Sequence, residues 1–376
     1  MNTLFSKKNN FLLLITLLSI FLLSLVLSKV FFTPIGYDSI GRMFHYYINY
    51  DDFGFIKRGL WGTFLHYLGL NNFIENKYVE YLVIYLAVSI AFIMSFWCFF
   101  NKNTPSQLSI QDICLAVIVV LSPSMFLHLG YSLGNFDLIL LFIFLINIQM
   151  IDQGKILIAA LISSCAILIH EIYLLTSLPL LLWIVLEKYN LKTSIKFSIL
   201  PMISTVSLLL WGKIEISKEA YLLQLEKISP YLLKRDGFFE MTSSVLDNIN
   251  VGIASLSDPA NWTWVPIVAI YVALIFTFLL NYVDQNKIKY FTLGIIACFV
   301  PLILSIVGND VFRWVSFVVF NLFIFMIINR KEPTEAPSRA YMTLVICILL
   351  FVFLGPMGSV FNNRPFPIIQ TVLHIN

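Results

Sequence analysis

From Ile156 to Leu186 the chain runs apolar for about 31 residues, with only His170 and Glu171 ionisable inside the run. As one straight α-helix that stretch would be about 46 Å long at 1.5 Å per residue. A bilayer core is only about 30 Å thick. The run must therefore be broken, and His170-Glu171 is the place where its polar groups gather. Folding back there leaves two helices of roughly 15 residues, each about 22 Å long, with the turn expected below the membrane surface. A charge at bilayer depth costs about 2.5–3.5 kcal/mol on insertion scales and is tolerated when it faces a wet cavity or a partner. Short paired spans of this kind point to a binding site. The plainer reading is a Glu171 that reaches the interface with His170 as its hydrogen-bond partner.

A membrane is the appropriate solvent because such runs recur along the whole sequence. Hydrophobic residues make up 59% of it, charged residues 12%, and the mean hydropathy is +0.87; a soluble domain carries about 25% charge. The rule of about 20 residues per crossing gives an all-α polytopic bundle of about eleven spans. They lie near 11–32, 79–100, 113–129, 138–151, 156–170, 173–187, 197–212, 264–283, 290–307, 313–329 and 341–359. No polar block is large enough for a separate soluble domain, so residues 1–376 read as one transmembrane domain. The run from Phe11 to about Phe32 is longer than a signal-peptide core and lacks a small-x-small cleavage site, so it reads as a retained first span. The span at 138–151 is the least regular, being short and containing Asn147 and Gln149.

Basic residues fix the expected orientation. Lys7, Lys8, Lys102, Lys155, Lys188, Lys192, Lys196, Lys287, Lys289, Arg330, Lys331 and Arg339 all fall in one alternating set of short connections. The other set contains two long loops, about 33–78 and 213–263. The expectation is a cytoplasmic N-terminus in a bacterial inner membrane, with both long loops outside. On that topology DDFGFIKRG, GNFD, His170-Glu171 and GNDVFRW share the outer side, and together they suggest one external polar pocket.

The first outer loop reads as two amphipathic helices lying on the membrane. From Asp38, helical spacing puts Asp38, Arg42 and His45 on one stripe and Ile40, Phe44 and Tyr47 opposite. From Gly59 to Leu68, Leu60, Trp61, Phe64, Leu65 and Leu68 gather on one side, and Gly59, Gly62, Thr63 and His66 on the other. Small residues there allow a ligand or a helix to approach the backbone. Asp51, Asp52, Lys57 and Arg58 belong at the rim, since burying all four in hydrocarbon would cost about 10 kcal/mol if the insertion penalties added. Carboxylates there can act as a general base or hold a divalent cation, and Lys or Arg can hold phosphate oxygens; a solvated bend is the plainer alternative. Arg313 starts a span with Asp310 one turn before it, as a clamp for a lipid phosphate or as a topology anchor beside Trp314. In the second loop Leu222, Leu225, Ile228 and Tyr231 recur at helical steps and suggest another interfacial helix ending near Pro230.

Several classes drop out. The net charge of +3, with no basic run, gives no reason to expect nucleic acid. The five cysteines lie in apolar runs without metal-ligand spacing, which disfavours disulfides and zinc. No P-loop, dinucleotide, zinc-protease or serine-hydrolase motif is present.

Gly36-Tyr37-Asp38 after the first span, Tyr46 and Tyr47, Gly54-Phe55, and Ile169-His170 closing an apolar helix give the chain its resemblance. In these it resembles the Wzy and EpsG-like polymerases that elongate bacterial O-antigen or capsule from polyprenyl-linked sugars, and the broader GT-C glycosyltransferases. Where the EpsG-like pattern has an Arg-Gln pair after the third span, this chain has GNFD. The resemblance implies glycosyl transfer at the outer face from an undecaprenyl-phosphate or pyrophosphate carrier, with membrane lipid and polysaccharide-assembly proteins as partners. It implies no organic cofactor; a divalent cation is compatible. Asp38, Asp51, Asp52, His170 and Glu171 are the base candidates, and Arg42, Lys57, Arg58, Asp310 and Arg313 the substrate-binding candidates. Two other readings stay open: a GT-C enzyme adding one sugar from a polyprenyl-phosphate donor, and a flippase for lipid-linked oligosaccharide. The gathering of ionisable residues at one face, not at the midplane, favours an enzyme over a carrier.

Overall fold

A computed structural model describes residues 42–103, 110–126, 135–214, 216–234, 237–259, 262, 265–308, 310–331 and 339–351. Among them the chain is helical throughout, with no strand. Four helices, Val79–Asn103, Leu191–Trp211, Val265–Tyr282 and Val311–Ile328, are long and apolar enough to cross a bilayer. Shorter apolar helices occupy Ile156–Ile169, Phe291–Ile306 and Arg339–Leu350. The expected first span at 11–32 lies outside the described residues.

The surface of the long helices explains why lipid is their solvent. In the helix Lys77–Asn103, Val79, Val83, Leu86, Ile90 and Met94 are all exposed, spaced so as to form one stripe. Tyr81, Tyr85, Phe92, Phe96, Phe99 and Phe100 are buried on other faces. Ile195, Ile199, Met202, Val206 and Leu210 form a similar exposed stripe on the helix Leu191–Trp211. Contiguous apolar surface of this kind is unfavourable in water and natural against acyl chains.

The chain divides into two compact units. One comprises Ile35–Ser95 and Ser132–Ile249. Its centre is the helix Asp137–Asp152, apolar on every side and buried along most of its length. Asn147, the irregularity in that span, is fully buried and donates from Nδ2 to Ser163 Oγ (3.1 Å) and Tyr173 OH (2.8 Å). The helix Ile156–Ile169 packs on it and on Leu191–Trp211. Ala159, Ala160, Ser163 and Ala166 are buried in it, and such small residues let helix backbones come close.

The long apolar run does break where expected. Its helix stops at Ile169, and His170 is extended at φ −159° and ψ 122°. The continuation differs from the single second helix expected. A one-turn helix, Tyr173–Thr176, is followed by a second break at Ser177, and only then by Leu178–Lys188. Pro179 explains the second break, since proline suits a helix's first turn but cannot continue one already running. At the far end an Asp152–Lys188 ion pair and a Tyr189 hydroxyl donating to the Ile151 carbonyl (2.8 Å) tie adjacent helices.

The first loop departs from its expected form. Arg42–Tyr46 is a single 3-10 turn, and Met43 through Asn49 are all buried, so over the described part of this segment no surface helix lies. Phe44, Tyr46, Tyr47 and Ile48 follow one another too closely for either face to stay polar. The second expected helix is present as Gly59–Tyr67, with its small-residue face inward. Phe64 and Leu68 are exposed, while Gly62 is pressed so closely on the Ile48 carbonyl that a Cβ would lie 1.9 Å from its oxygen. The second-loop helix also forms, as Lys218–Ile228, burying Tyr221 and Leu225.

The other unit comprises Met1–Pro34, Phe96–Tyr131 and Asn250–Asn376. Its core is Val311–Ile328, sheathed by Val265–Tyr282, Phe291–Phe299 and the 3-10 turn Val300–Ile306. At one end the fully buried Asp112 accepts from Tyr282 OH at 2.8 Å and pairs with Arg330 Nε at 3.1 Å. Asp112 starts its helix while Tyr282 and Arg330 end or follow theirs. The contact therefore requires the first to run opposite to the other two, as alternating spans would.

Gly62→Ala should lower the thermal midpoint in detergent clearly more than Gly69→Ala. At Gly69 (φ +67°) an added Cβ meets nothing within 4 Å, so the penalty is the left-handed backbone alone, about 1–2 kcal/mol. At Gly62 the backbone is ordinary helix, but an added Cβ would meet the Ile48 backbone at 1.9 Å, a clash no side-chain movement relieves, so the cost lies at or beyond the upper end of overpacking penalties, about 3 kcal/mol.

Candidate functional site

Three distant pieces of chain meet in the unit 35–95 and 132–249. The first loop supplies His45 from its buried 3-10 turn and Arg58 from the residue before the helix Gly59–Tyr67. The broken apolar run supplies His170 and Glu171. The second loop supplies Glu240 from the short helix Phe238–Thr242.

Local backbone sets each in place. Arg58 has φ +67°, the one non-glycine positive φ among the described residues. Such a conformation costs about 1–2 kcal/mol in an L-residue and persists when its surroundings impose it. Here Lys57 N donates to the Gly212 carbonyl (3.0 Å) and Gly59 N to the Ile56 carbonyl (3.3 Å), holding the turn on both sides. Gly237, at φ +61°, stands before Glu240's helix, and a Cβ there would lie 2.0 Å from Phe44 Cζ. Lys57 Nζ donates to the Ser243 carbonyl at 3.0 Å, so the two loops are joined on both sides of Glu240.

The guanidinium of Arg58 is the hub. Its Nη2 donates to Glu171 Oε1 at 2.6 Å, and its Nε lies 3.2 and 3.3 Å from the two Glu171 oxygens. Its Nη1 donates to Glu240 Oε2 at 3.4 Å and lies 3.2 Å from His45 Nε2. His45 Nε2 is in turn 3.3 Å from Glu240 Oε2, and His170 Nδ1 is 3.0 Å from Glu171 Oε2. The Phe136 ring closes the circuit, its centroid 5.5 Å from that of His45 and 6.1 Å from that of His170.

Electrostatics divide the roles. Burial would raise the pKa of Glu171, but the Arg58 charge and the His170 hydrogen bond outweigh it and hold the carboxyl well below the usual range. Glu171 is therefore an ionised anchor and a poor proton acceptor. An ionised carboxylate only accepts, so His170 carries a hydrogen on Nδ1, and in the neutral imidazole Nε2 is then the lone-pair nitrogen. His45 is pushed down to about 4, chiefly by burial and further by Arg58, with Glu240 acting in the opposite sense. Neutral His45 faces two demands at Nε2: Arg58 requires a lone pair there, Glu240 a hydrogen. It can meet one at a time. Burial lowers Lys57 to about 8.

Of the residues singled out from sequence, Lys57, Arg58, His170 and Glu171 are brought together. Asp51 and Asp52 have other partners. Asp51 accepts from Tyr67 OH at 3.0 Å and lies 3.8 Å from His66, and Asp52 accepts from Asn49 and Gln224. Both are exposed residues of a one-turn helix capped by Asn49. Asp310 and Arg313 pair with each other at 3.2 Å in the other unit, where Arg313 stacks 4.9 Å from the Trp314 ring. Asp38 and the Arg42 side chain lie outside the described residues. Among the described residues no three His, Cys, Asp or Glu side chains group as a metal site. His45, Phe136 and Glu240 were not among the candidates. GNFD contains Phe136, and His45 lies on the stripe with Asp38 and Arg42, but nothing in GFFE sets Glu240 apart.

The His45 shift has a definite sign. A buried imidazole held near 4 binds its proton less readily than the unfolded chain does, so its contribution is complete above about pH 6.5 and is lost as pH falls toward 4. Glu171, depressed by its ion pair, adds a loss that begins only below about pH 4.5. The thermal midpoint should fall between pH 6.5 and 5, and His45→Gln should flatten that decline while leaving the steeper loss at lower pH. No family model, curated protein or solved structure matches this chain.

Proposed function

We propose that this chain is a membrane glycosyltransferase that joins polyprenyl-linked oligosaccharide repeat units into O-antigen or capsule. The observation carrying the reading is the Arg58 hub: a guanidinium, two carboxylates and two histidines gathered where apolar helices end. In this reading about eleven spans cross a bacterial inner membrane with the N-terminus in the cytoplasm, and the hub faces the periplasm. The exposed apolar side of Gly59–Tyr67 rests at the lipid interface.

The reaction distributes over the hub's groups. An acceptor sugar hydroxyl attacks the anomeric carbon of the donor and passes its proton to His170 Nε2, whose Nδ1–H is held by Glu171. The bond from that carbon to the carrier phosphate oxygen breaks, and the phosphate leaves with the electron pair. Arg58 and Lys57 offset its developing charge. Unlike Asp51 and Asp52, which sit apart, His170 and Arg58 both touch Glu171, so base and phosphate-binding cation are set at a fixed separation by one carboxylate.

Disrupting the gene and restoring it with Arg58→Gln or His170→Gln provides the test. Surface glycan should collapse to a single repeat, and both variants, at normal membrane abundance, should restore less than about 1% of the long chains, as removal of a general base or charge stabiliser costs about 10²–10³. Full-length glycan missing one branch sugar would replace the reading with a single-sugar transferase. Lipid-linked units trapped on the cytoplasmic side would replace it with a flippase, and unaltered glycan would remove all three.

A further inference from the structure

Among the described residues Arg58 is shared unequally between two carboxylates, Glu171 and Glu240. Glu171 takes the Nε and Nη2 edge with contacts of 2.6, 3.2 and 3.3 Å, a forked arrangement that fixes the guanidinium plane. Glu240 meets Nη1 through one oxygen at 3.4 Å, near the outer limit of a hydrogen bond. That same oxygen is 3.3 Å from His45 Nε2, so a single atom of Glu240 bridges the cation and the imidazole.

The backbone beneath the two carboxylates differs as well. Glu171 sits in the break between two packed apolar helices. Glu240 stands on a five-residue helix in a long loop, with a left-handed glycine before it and Ser243, which holds Lys57, just after. A rotation of the Glu240 side chain alone would vacate Nη1. His45 Nε2 could then accept from Arg58 at its present 3.2 Å, which resolves the conflict over its tautomer without moving the ring.

We infer that the Nη1 side of Arg58 is an anion-binding position, occupied here by the Glu240 carboxylate, and that a phosphate-bearing ligand displaces this carboxylate. Glu171 keeps the guanidinium aimed throughout, and Lys57, whose Nζ reaches the same loop, brings a second positive charge. Without displacement Glu171 and Glu240 offset much of the positive charge that Arg58 and Lys57 bring among the described residues, which weakens their attraction for an anion. Exchange of Glu240 for phosphate supplies that attraction only when a ligand arrives and leaves a carboxylate free beside it. The inference rests on the phosphate role given to Arg58 above, but its test needs no sugar transfer.

The full chain in phosphatidylcholine nanodiscs is titrated with inorganic phosphate. In a second arm, nanodiscs carrying a small fraction of polyisoprenyl phosphate are compared with others carrying phosphatidic acid, and thermal stabilisation is read in each. Glu240→Gln removes the competing charge while keeping the side chain's shape. It should tighten phosphate binding about fivefold, the equivalent of a modest, partly exposed ion pair. Arg58→Gln should abolish binding, and Glu171→Gln, which loosens the guanidinium, should weaken it. Tightening in the inorganic-phosphate arm identifies a site for the bare anion. Tightening confined to polyisoprenyl phosphate identifies a site that also requires the lipid, and equal tightening with phosphatidic acid a general headgroup site. Weaker or unchanged binding by Glu240→Gln in every arm, with Arg58→Gln still sensitive, overturns the exchange. If the exchange holds and the glycan phenotype is absent, the anion site stands and glycosyl transfer falls.

Discussion

Arg58 and Glu171 are 113 residues apart in sequence and 2.6 Å apart in space, and the surroundings leave neither much freedom to be alone. Arg58's side chain is 15% exposed and Glu171's 37%. A guanidinium that enclosed is costly to leave uncompensated, whereas a carboxylate one-third open to solvent is partly screened, so the pair is worth less than a fully buried one. Its importance lies in geometry. To reach Glu171, the first loop must present Arg58 from a left-handed turn, and the apolar run must stop one residue short of His170. Both irregularities are unfavourable in isolation and are offset at the same contact.

From that contact the surrounding order follows. His170 takes its tautomer from Glu171, and His45 is left to mediate between Arg58 and Glu240. Phe136, at the start of the unit's central helix, fixes the spacing of the two imidazoles. The second loop is then drawn in by the glycine at 237, which gives Phe44 room, and by the Lys57 ammonium on Ser243. Helix-end pairs such as Asp152–Lys188 lie at the opposite end of Ile156–Ile169, about 21 Å away at 1.5 Å per residue. The two ends of this unit thus gather different charged sets, the simple pair at one and the histidine-bearing hub at the other.

What sequence disclosed, it disclosed through length and solvent. A run too long for the bilayer had to break, and the only ionisable pair inside it marked where. The helices around 137–152 and 311–328 were legible as apolar runs, but their burial inside protein was not, because a run apolar on all sides can equally face lipid. Asn147 looked like an interruption because its partners, Ser163 and Tyr173, come from the next two helices. Periodicity misled at Phe44–Tyr47, where spacing suggested a surface stripe but consecutive large side chains demanded burial on all sides. Asp51 and Asp52 drew attention by charge density, yet one turn capped by Asn49 accounts for them. Glu240 was silent because its significance is a contact 182 residues away, which no local pattern encodes.

The central claim is that Arg58 and Glu171 act as one unit and hold the three segments together. A double-mutant cycle with Arg58→Gln, Glu171→Gln and the pair, followed by reversible unfolding in detergent, measures this directly. The account requires a coupling of about 1 kcal/mol or more, with the double variant no less stable than Arg58→Gln alone. Strictly additive losses would mean that the two side chains are neighbours without being partners, and the hub would have no anchor.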